Sequence, residues 1–159
     1  MSSSDRANTQ SLGARVESEL EREVDALIHS AQAPTVVFQP IAHLPQLRVV
    51  GYEALSRFSA QPRVSPDQWF AAAARIGREA DLSALVLEKA LSTRAVLPRR
   101  TFLTVNISPE VLLSNAIQKL LEVGPLDRMV FELTEHAIVT DYDPVSYTHL
   151  RAHETRHDL

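Results

Sequence analysis

Two strand-like segments near the start of the chain are joined by a link too short for a parallel crossover. Residues 35–41 and 47–58 are rich in Val, Ile, Phe and Tyr, which favour strands. A parallel connection needs about a dozen residues or more, and the link 42–46 is much shorter. The sequence therefore predicts an antiparallel hairpin. If its turn centres near Gln46, Gln39 lies opposite Glu53 in the ladder.

Helical and strand patterns alternate after the hairpin. Ser65, Pro66 and Gln68 form a capping-box start, and Ser108 with Pro109 repeats the serine-proline start. The predicted elements are helices near 66–76, 80–97 and 109–123 and strands at 101–107 and 129–135. Such β/α alternation predicts an α/β fold with a parallel sheet or a barrel rather than a sandwich.

The N-terminal region divides into two parts. Residues 1–10 are polar and serine-rich, which predicts a disordered tail. From Leu12 onward apolar residues recur every three or four positions, which predicts an amphipathic helix within a helical linker at 11–33. This helix either packs on its own domain or connects to a signalling domain upstream.

Composition limits the function classes. The chain is 45% hydrophobic and 23% charged, as in one ordinary globular domain, and its net charge of -4 offers no broad basic surface for polymeric nucleic acid. It has no cysteine, so thiolate metal sites are excluded. No apolar run reaches the roughly 20 residues that span a bilayer. We expect a cytoplasmic location, although the parent protein could be membrane-associated.

Four polar side chains interrupt the apolar strands: Gln39, Glu53, Asn106 and Glu132. Each could be a satisfied core group or lie at a solvated rim. The last three, however, stand near the carboxyl ends of strands, where β/α barrels assemble their active sites. Two carboxylates and an amide carbonyl suit Mg²⁺ or Mn²⁺ rather than zinc. Period-two alternation also places Glu53, Leu55 and Arg57 on one face.

These residues resemble the motifs of a known family. Gln39-Pro40-Ile41 resembles the first-strand motif of the EAL-domain family, and Glu53-Ala54-Leu55 resembles its signature. Asn106-Ile107-Ser108 resembles the N-x-S strand end, and Glu132-Leu133-Thr134-Glu135 the E-x-T-E motif. Each tripeptide is weak alone, but the four occur in the right order over about residues 35–143, roughly the first half of the domain.

The resemblance implies a bacterial, metal-dependent phosphodiesterase that hydrolyses cyclic di-GMP to linear pGpG. By it, Glu53, Asn106 and Glu132 are metal ligands. Arg57, Gln39 and Leu55 contact the substrate, with Arg57 on a phosphate, and Glu135 steadies an active-site loop. The mechanism would use two Mg²⁺ or Mn²⁺ ions. The resemblance also implies that the residues completing the second metal site lie in a later half that is absent here.

The implied fold is the N-terminal half of a (β/α)8 TIM-like barrel that opens with an antiparallel hairpin. A complete barrel takes about 250 residues. We therefore interpret residues 34–143 as a truncated EAL domain that does not catalyse alone. An upstream sensory domain and a homodimer fit the family. The alternative is an inactive EAL domain that serves as a cyclic di-GMP receptor or a protein-interaction module.

Residues 144–159 have neither apolar periodicity nor turn signals. From about residue 145 they resemble the translation of a transposase-type sequencing adapter, which predicts a non-native tail. Within it, residues 153–157 match the H-E-x-x-H pattern of zinc proteases. No apolar helix surrounds this match and no third ligand accompanies it, so the sequence gives a protease little support.

Overall fold

The computed structural model describes residues 3–30, 34–124 and 126–134. Its elements are α1 (Ser3–His29), β1 (Thr35–His43), β2 (Arg48–Arg57), α2 (Pro66–Arg75), α3 (Glu79–Arg94), β3 (Phe102–Ile107), α4 (Pro109–Leu112), α5 (Asn115–Val123) and β4 (Met129–Leu133). None of the described helices is long and apolar enough to cross a membrane.

The strands form one sheet in the order β1-β2-β3-β4. β1 pairs antiparallel with β2, and the Cα atoms of Gln39 and Glu53 are partners, so the predicted hairpin and its register are confirmed. A short 3-10 turn, Leu44–Gln46, closes the hairpin. β2, β3 and β4 run parallel, which confirms the α/β class.

The main core lies between one face of the sheet and helices α3, α4 and α5. Its strand residues include Ala54, Leu103 and Val105, which pack with Leu87 of α3 and Ile117 of α5. Because side chains alternate along a strand, Glu53, Leu55 and Arg57 lie on the opposite face, as predicted.

A second core joins α1, α2 and the start of α3. Leu20 and Val24 of α1 are buried with Trp69 and Ala72 of α2 and Leu82 of α3. The carboxyl-terminal half of α1 therefore packs on its own domain, the first of the two alternatives. Two further contacts hold it: Arg75 binds Glu21 at 2.7 Å, and Arg78 binds Asp25 at 2.9 Å.

Two helix boundaries differ from the sequence prediction. α1 begins at Ser3, so most of the segment predicted to be a disordered tail is helical. Extending an existing helix costs little once its first turn has formed, and no proline interrupts this segment. The single helix predicted at 109–123 is two helices, because Ser114 adopts an extended conformation and its hydroxyl accepts a hydrogen bond from the Ile117 N–H.

The predicted start of α2 is confirmed. Pro66 is its first residue, and the backbone N–H of Ser65 donates a hydrogen bond to Gln68 Oε1 at 3.2 Å, one arm of the capping box. Just past its end, Gly77 has φ of +68°, a conformation that glycine adopts without steric cost.

Gly51 of β2 lies beneath the ring of Phe102, its partner in β3. A Cβ at position 51 would stand 2.4 Å from Phe102 Cε2, so the ring would have to move. We expect Gly51→Ala to destabilise the chain by about 1–3 kcal/mol, measured by denaturant unfolding. Gly13→Ala is the matched control, since a Cβ on this α1 glycine meets nothing within 4 Å. Equal stability of the two variants would contradict the packing described here.

Candidate functional site

Three oxygen-bearing side chains lie near the carboxyl ends of adjacent parallel strands. Glu53 is on β2, Asn106 on β3 and Glu132 on β4. Asn106 and Glu132 are direct partners in the β3–β4 ladder, and Glu53 is the partner of Thr104, two residues before Asn106. Because neighbouring strands lie about 4.8 Å apart and partners share a face, the sheet brings these three residues together.

The amide of Asn106 contacts the carboxylate of Glu53 directly. Asn106 Nδ2 donates a hydrogen bond to Glu53 Oε1 at 2.8 Å. Glu53 is partly buried, whereas Asn106 and Glu132 are exposed to solvent. The group is therefore anchored on the sheet and open to small molecules and ions.

This donor set fits a hard divalent cation. Within residues 3–30, 34–124 and 126–134, no cluster of three or more His, Asp or Glu side chains could hold a metal. A cation here would need the Asn106 carbonyl oxygen together with the carboxylates of Glu53 and Glu132. In the structure the Asn106 nitrogen faces Glu53 Oε1, so the amide would have to turn over for its carbonyl oxygen and the Glu53 carboxylate to bind the same ion.

Arg57 lies on the same face as Glu53, at the end of β2. Its side chain is exposed, and Nη1 donates a hydrogen bond to the carbonyl oxygen of Ser56 at 2.8 Å. A guanidinium has five N–H donors, so most of them can serve an anion at the strand end. Leu55 lies between the two charged residues and is partly buried.

Of the remaining predicted site residues, one lies on the sheet and one lies outside the described residues. Gln39 of β1 is exposed and stands opposite Glu53, where its amide borders the site. Glu135 lies outside the described residues, as does the H-E-x-x-H match at 153–157.

Thr104 is a site neighbour that the sequence reasoning did not single out. It is the β3 partner of Glu53 and only 2% of its surface is exposed. Among the described residues its Oγ1 has no hydrogen-bond partner, which is uncommon for a buried hydroxyl. The alternation of Phe102, Thr104 and Asn106 places Thr104 on the site face, but the burial of its hydroxyl is visible only in the structure.

Comparison with known proteins finds the same family that the four motifs resemble. The model of the EAL domain family matches residues 21–156, which is most of the chain. The match includes the four motifs and continues into the segment after residue 144. A search of proteins with curated functions finds no match.

Several solved structures share the fold. BlrP1 of Klebsiella pneumoniae, solved with manganese and cyclic di-GMP, is 26% identical over 76% of this chain, with a TM-score of 0.57. Bacillus subtilis YkuI, solved with its substrate cyclic di-GMP and calcium, is 19% identical over 83% of this chain, with a TM-score of 0.64. The PaMucR phosphodiesterase, a cyclic di-GMP complex, is 18% identical over 85%, also with a TM-score of 0.64.

The chain spans only part of each of these proteins. It covers 32% of BlrP1, 35% of YkuI and 60% of PaMucR. The sheet described above thus corresponds to part of a larger barrel, in agreement with the predicted partial barrel.

Proposed function

Since the chain belongs to the EAL domain family, we propose that it is the N-terminal half of a metal-dependent phosphodiesterase that hydrolyses cyclic di-GMP to linear pGpG. The observation that carries the proposal is that Glu53, Asn106 and Glu132 lie together near the carboxyl ends of three neighbouring parallel strands, with Asn106 and Glu132 paired directly. The three side chains offer the oxygen donors that a divalent cation requires.

Glu53, Asn106 and Glu132 would hold Mg²⁺ or Mn²⁺. Bound divalent ions would supply the Lewis acidity that activates water and offsets the charge of the phosphodiester. The protein's own part is to hold the two carboxylates on rigid strands. Thr104 lies opposite Glu53 on β3, and its buried hydroxyl has no hydrogen-bond partner among the described residues.

The substrate would lie over the same face. Arg57 would bind a phosphate of cyclic di-GMP, because guanidinium N–H groups pair with phosphate oxygens in bidentate fashion. Leu55 would contact the substrate beside it, and Gln39 would either touch the substrate or orient Glu53. Glu135 would steady the loop that follows β4.

We further propose that the active protein is longer than this chain. Residues from about 144 would not be native, and the native protein, called the extended protein, would continue past Asp143 with the remaining strands and metal ligands. The extended protein would act on cyclic di-GMP in the cytoplasm. An upstream sensory domain would control its activity, and it would form a homodimer.

One observation favours a second candidate function. The Asn106 amide satisfies the Glu53 carboxylate without any cation, so the site has a stable arrangement in the absence of metal. A domain that keeps this arrangement would bind cyclic di-GMP as a receptor and leave it intact.

Product analysis separates the two candidates. The extended protein is incubated with cyclic di-GMP and Mg²⁺ or Mn²⁺, the nucleotides are resolved by chromatography, and binding is measured by calorimetry. We expect pGpG to form with either metal and to be suppressed by a chelator. Binding without pGpG would support the receptor, and the absence of both would contradict the two candidates together.

A further inference from the structure

The end of the sheet opposite the candidate site carries an unusual surface, the N-terminal rim. The rim consists of the hairpin tip and the loops that lead into β3 and β4. Because β2, β3 and β4 are parallel, their first residues, Arg48, Phe102 and Met129, stand at this one edge. The rim therefore faces away from Glu53, Asn106 and Glu132.

The most exposed large aliphatic side chains of the described residues all lie at the rim. The exposed fractions are 75% for Leu44, 88% for Leu47, 79% for Val96 and 82% for Val123, while every other exposed large apolar side chain is at most 41% exposed. Single exposed apolar residues are ordinary on protein surfaces. Their concentration at one edge is not explained by folding, because none of them contributes to either core.

The same rim carries excess positive charge. Arg48, Arg99 and Arg100 are exposed at the starts of β2 and β3, and Arg128 precedes β4. Two carboxylates are nearby: Asp127, which binds Arg128 at 2.7 Å, and Glu122 on the last turn of α5. Since the chain as a whole has a net charge of -4, the basic residues at this edge are a local departure from its acidic balance.

The hairpin tip holds its two leucines in a defined turn. The Leu47 N–H donates a hydrogen bond to the Leu44 carbonyl oxygen at 3.2 Å, and no residue of the turn is buried. Leu47 has φ of +46°, a region where glycine or asparagine would be less strained. A leucine that is both strained and almost fully exposed indicates that its side chain has a use outside the fold.

The hairpin tip projects beyond the start of β3. Leu47 precedes Gly51 by four residues, and Gly51 is level with Phe102, so the tip extends roughly 10 Å past the start of β3. Arg48 follows Leu47 directly, and Arg99 and Arg100 stand three and two residues before Phe102, at the same end of the strands. Exposed aliphatic side chains beside arginines are the combination found in interfacial membrane anchors.

We propose that the N-terminal rim docks on an anionic lipid bilayer. Leu44 and Leu47 enter the region between headgroups and acyl chains, and Arg48, Arg99 and Arg100 contact lipid phosphates. A bilayer fits better than an acidic protein, because the two leucines of the projecting hairpin tip are 75% and 88% exposed, with Arg48 directly beside them. The proposal is independent of the catalytic function, since the candidate site remains open at the other end of the strands.

Vesicle flotation tests the proposal, because bound protein rises with vesicles while aggregated protein sinks. The extended protein is mixed with vesicles of phosphatidylcholine alone or of phosphatidylcholine with phosphatidylglycerol. We expect flotation with the anionic vesicles only. The pair Leu44→Ser and Leu47→Ser, and separately the pair Arg99→Gln and Arg100→Gln, should each lower the floating fraction about tenfold or more.

Matched controls lie away from the rim. Leu113→Ser and Arg63→Gln change exposed residues of the same types and should leave flotation unchanged. As a second readout, the emission of Leu47→Trp should shift to shorter wavelength on anionic vesicles, while that of Leu113→Trp should not. No flotation with either vesicle, equal flotation with both, or binding that ignores the leucine pair would overturn the proposal, the first outcome leaving an acidic protein as the partner to seek.

Discussion

The Glu53→Gln variant of the extended protein is expected to hydrolyse cyclic di-GMP more than about 100-fold more slowly than the unchanged protein. Even residues that only orient a metal ligand cost about 10- to 100-fold when they are replaced, so a ligand should cost more. Glutamine keeps the shape of the side chain and can still contact Asn106, but it removes the negative charge that a cation needs. The expected defect is therefore chemical rather than structural.

Glu88→Gln is the matched control for this variant. Glu88 is an exposed carboxylate of α3, outside both cores, and its replacement should leave turnover unchanged. Turnover is measured as initial rates of pGpG formation over a range of Mn²⁺ concentrations. A Glu53→Gln variant within about tenfold of the unchanged protein would remove Glu53 from the proposed ligand set.

Trp69→Ala is expected to lower the free energy of unfolding by about 3–5 kcal/mol. Trp69 is fully buried in the second core, and its ring stacks on Phe58 with centroids 4.6 Å apart. Phe58 directly follows Arg57 at the end of β2, so this stack ties α2 to the strand that carries the site. The alanine variant would leave a cavity between α2 and β2.

Trp69→Phe should be milder than Trp69→Ala. The indole Nε1 has no hydrogen-bond partner among the described residues, so phenylalanine removes a buried unpaired donor while it keeps an aromatic ring against Phe58. Urea unfolding of the extended protein, followed by circular dichroism, measures both. The order would be contradicted if Trp69→Phe were as damaging as Trp69→Ala.

The antiparallel hairpin could be predicted from the sequence because a link of only five residues, 42–46, excluded a parallel crossover. The predicted pairing of Gln39 with Glu53 is also found, but the ladder reaches it through a register shift between Ile41 and Ala42 that the symmetry of the turn does not predict. The alternation of Glu53, Leu55 and Arg57 followed from the two-residue period of a strand. The antiparallel direction and the alternation rest on covalent geometry, whereas the register shift is visible only in the structure.

The helix boundaries were harder because they depend on small local differences. Nothing in the apolar pattern of the sequence distinguishes a helix that continues to Ser3 from one that begins near Leu12, because residues 1–10 have no apolar periodicity. The break before Ser114 depends on one hydroxyl that caps α5, and an apolar run continues on both sides of it. In both places the prediction of a helix was correct. The ends of the helices depend on capping and on how far an existing helix extends.

The candidate site was predicted as a set of residue types, and the sheet supplied their arrangement. Sequence patterns placed Glu53, Asn106 and Glu132 at strand ends, but only the three-dimensional pairing brought the Asn106 amide onto the Glu53 carboxylate. Thr104 was missed because a threonine in a strand is unremarkable until its hydroxyl proves to be buried without a partner. The roles of Arg57, Gln39 and Leu55 remain predictions.

The central claim is that Glu53, Asn106 and Glu132 together hold a divalent cation. The most direct test is anomalous X-ray diffraction from crystals of the extended protein grown with Mn²⁺ and cyclic di-GMP. The account predicts a manganese peak bonded to oxygens of Glu53, Asn106 and Glu132, with a phosphate of the nucleotide beside Arg57. A fully bound nucleotide with no manganese at these three residues, or with manganese held elsewhere, would contradict it.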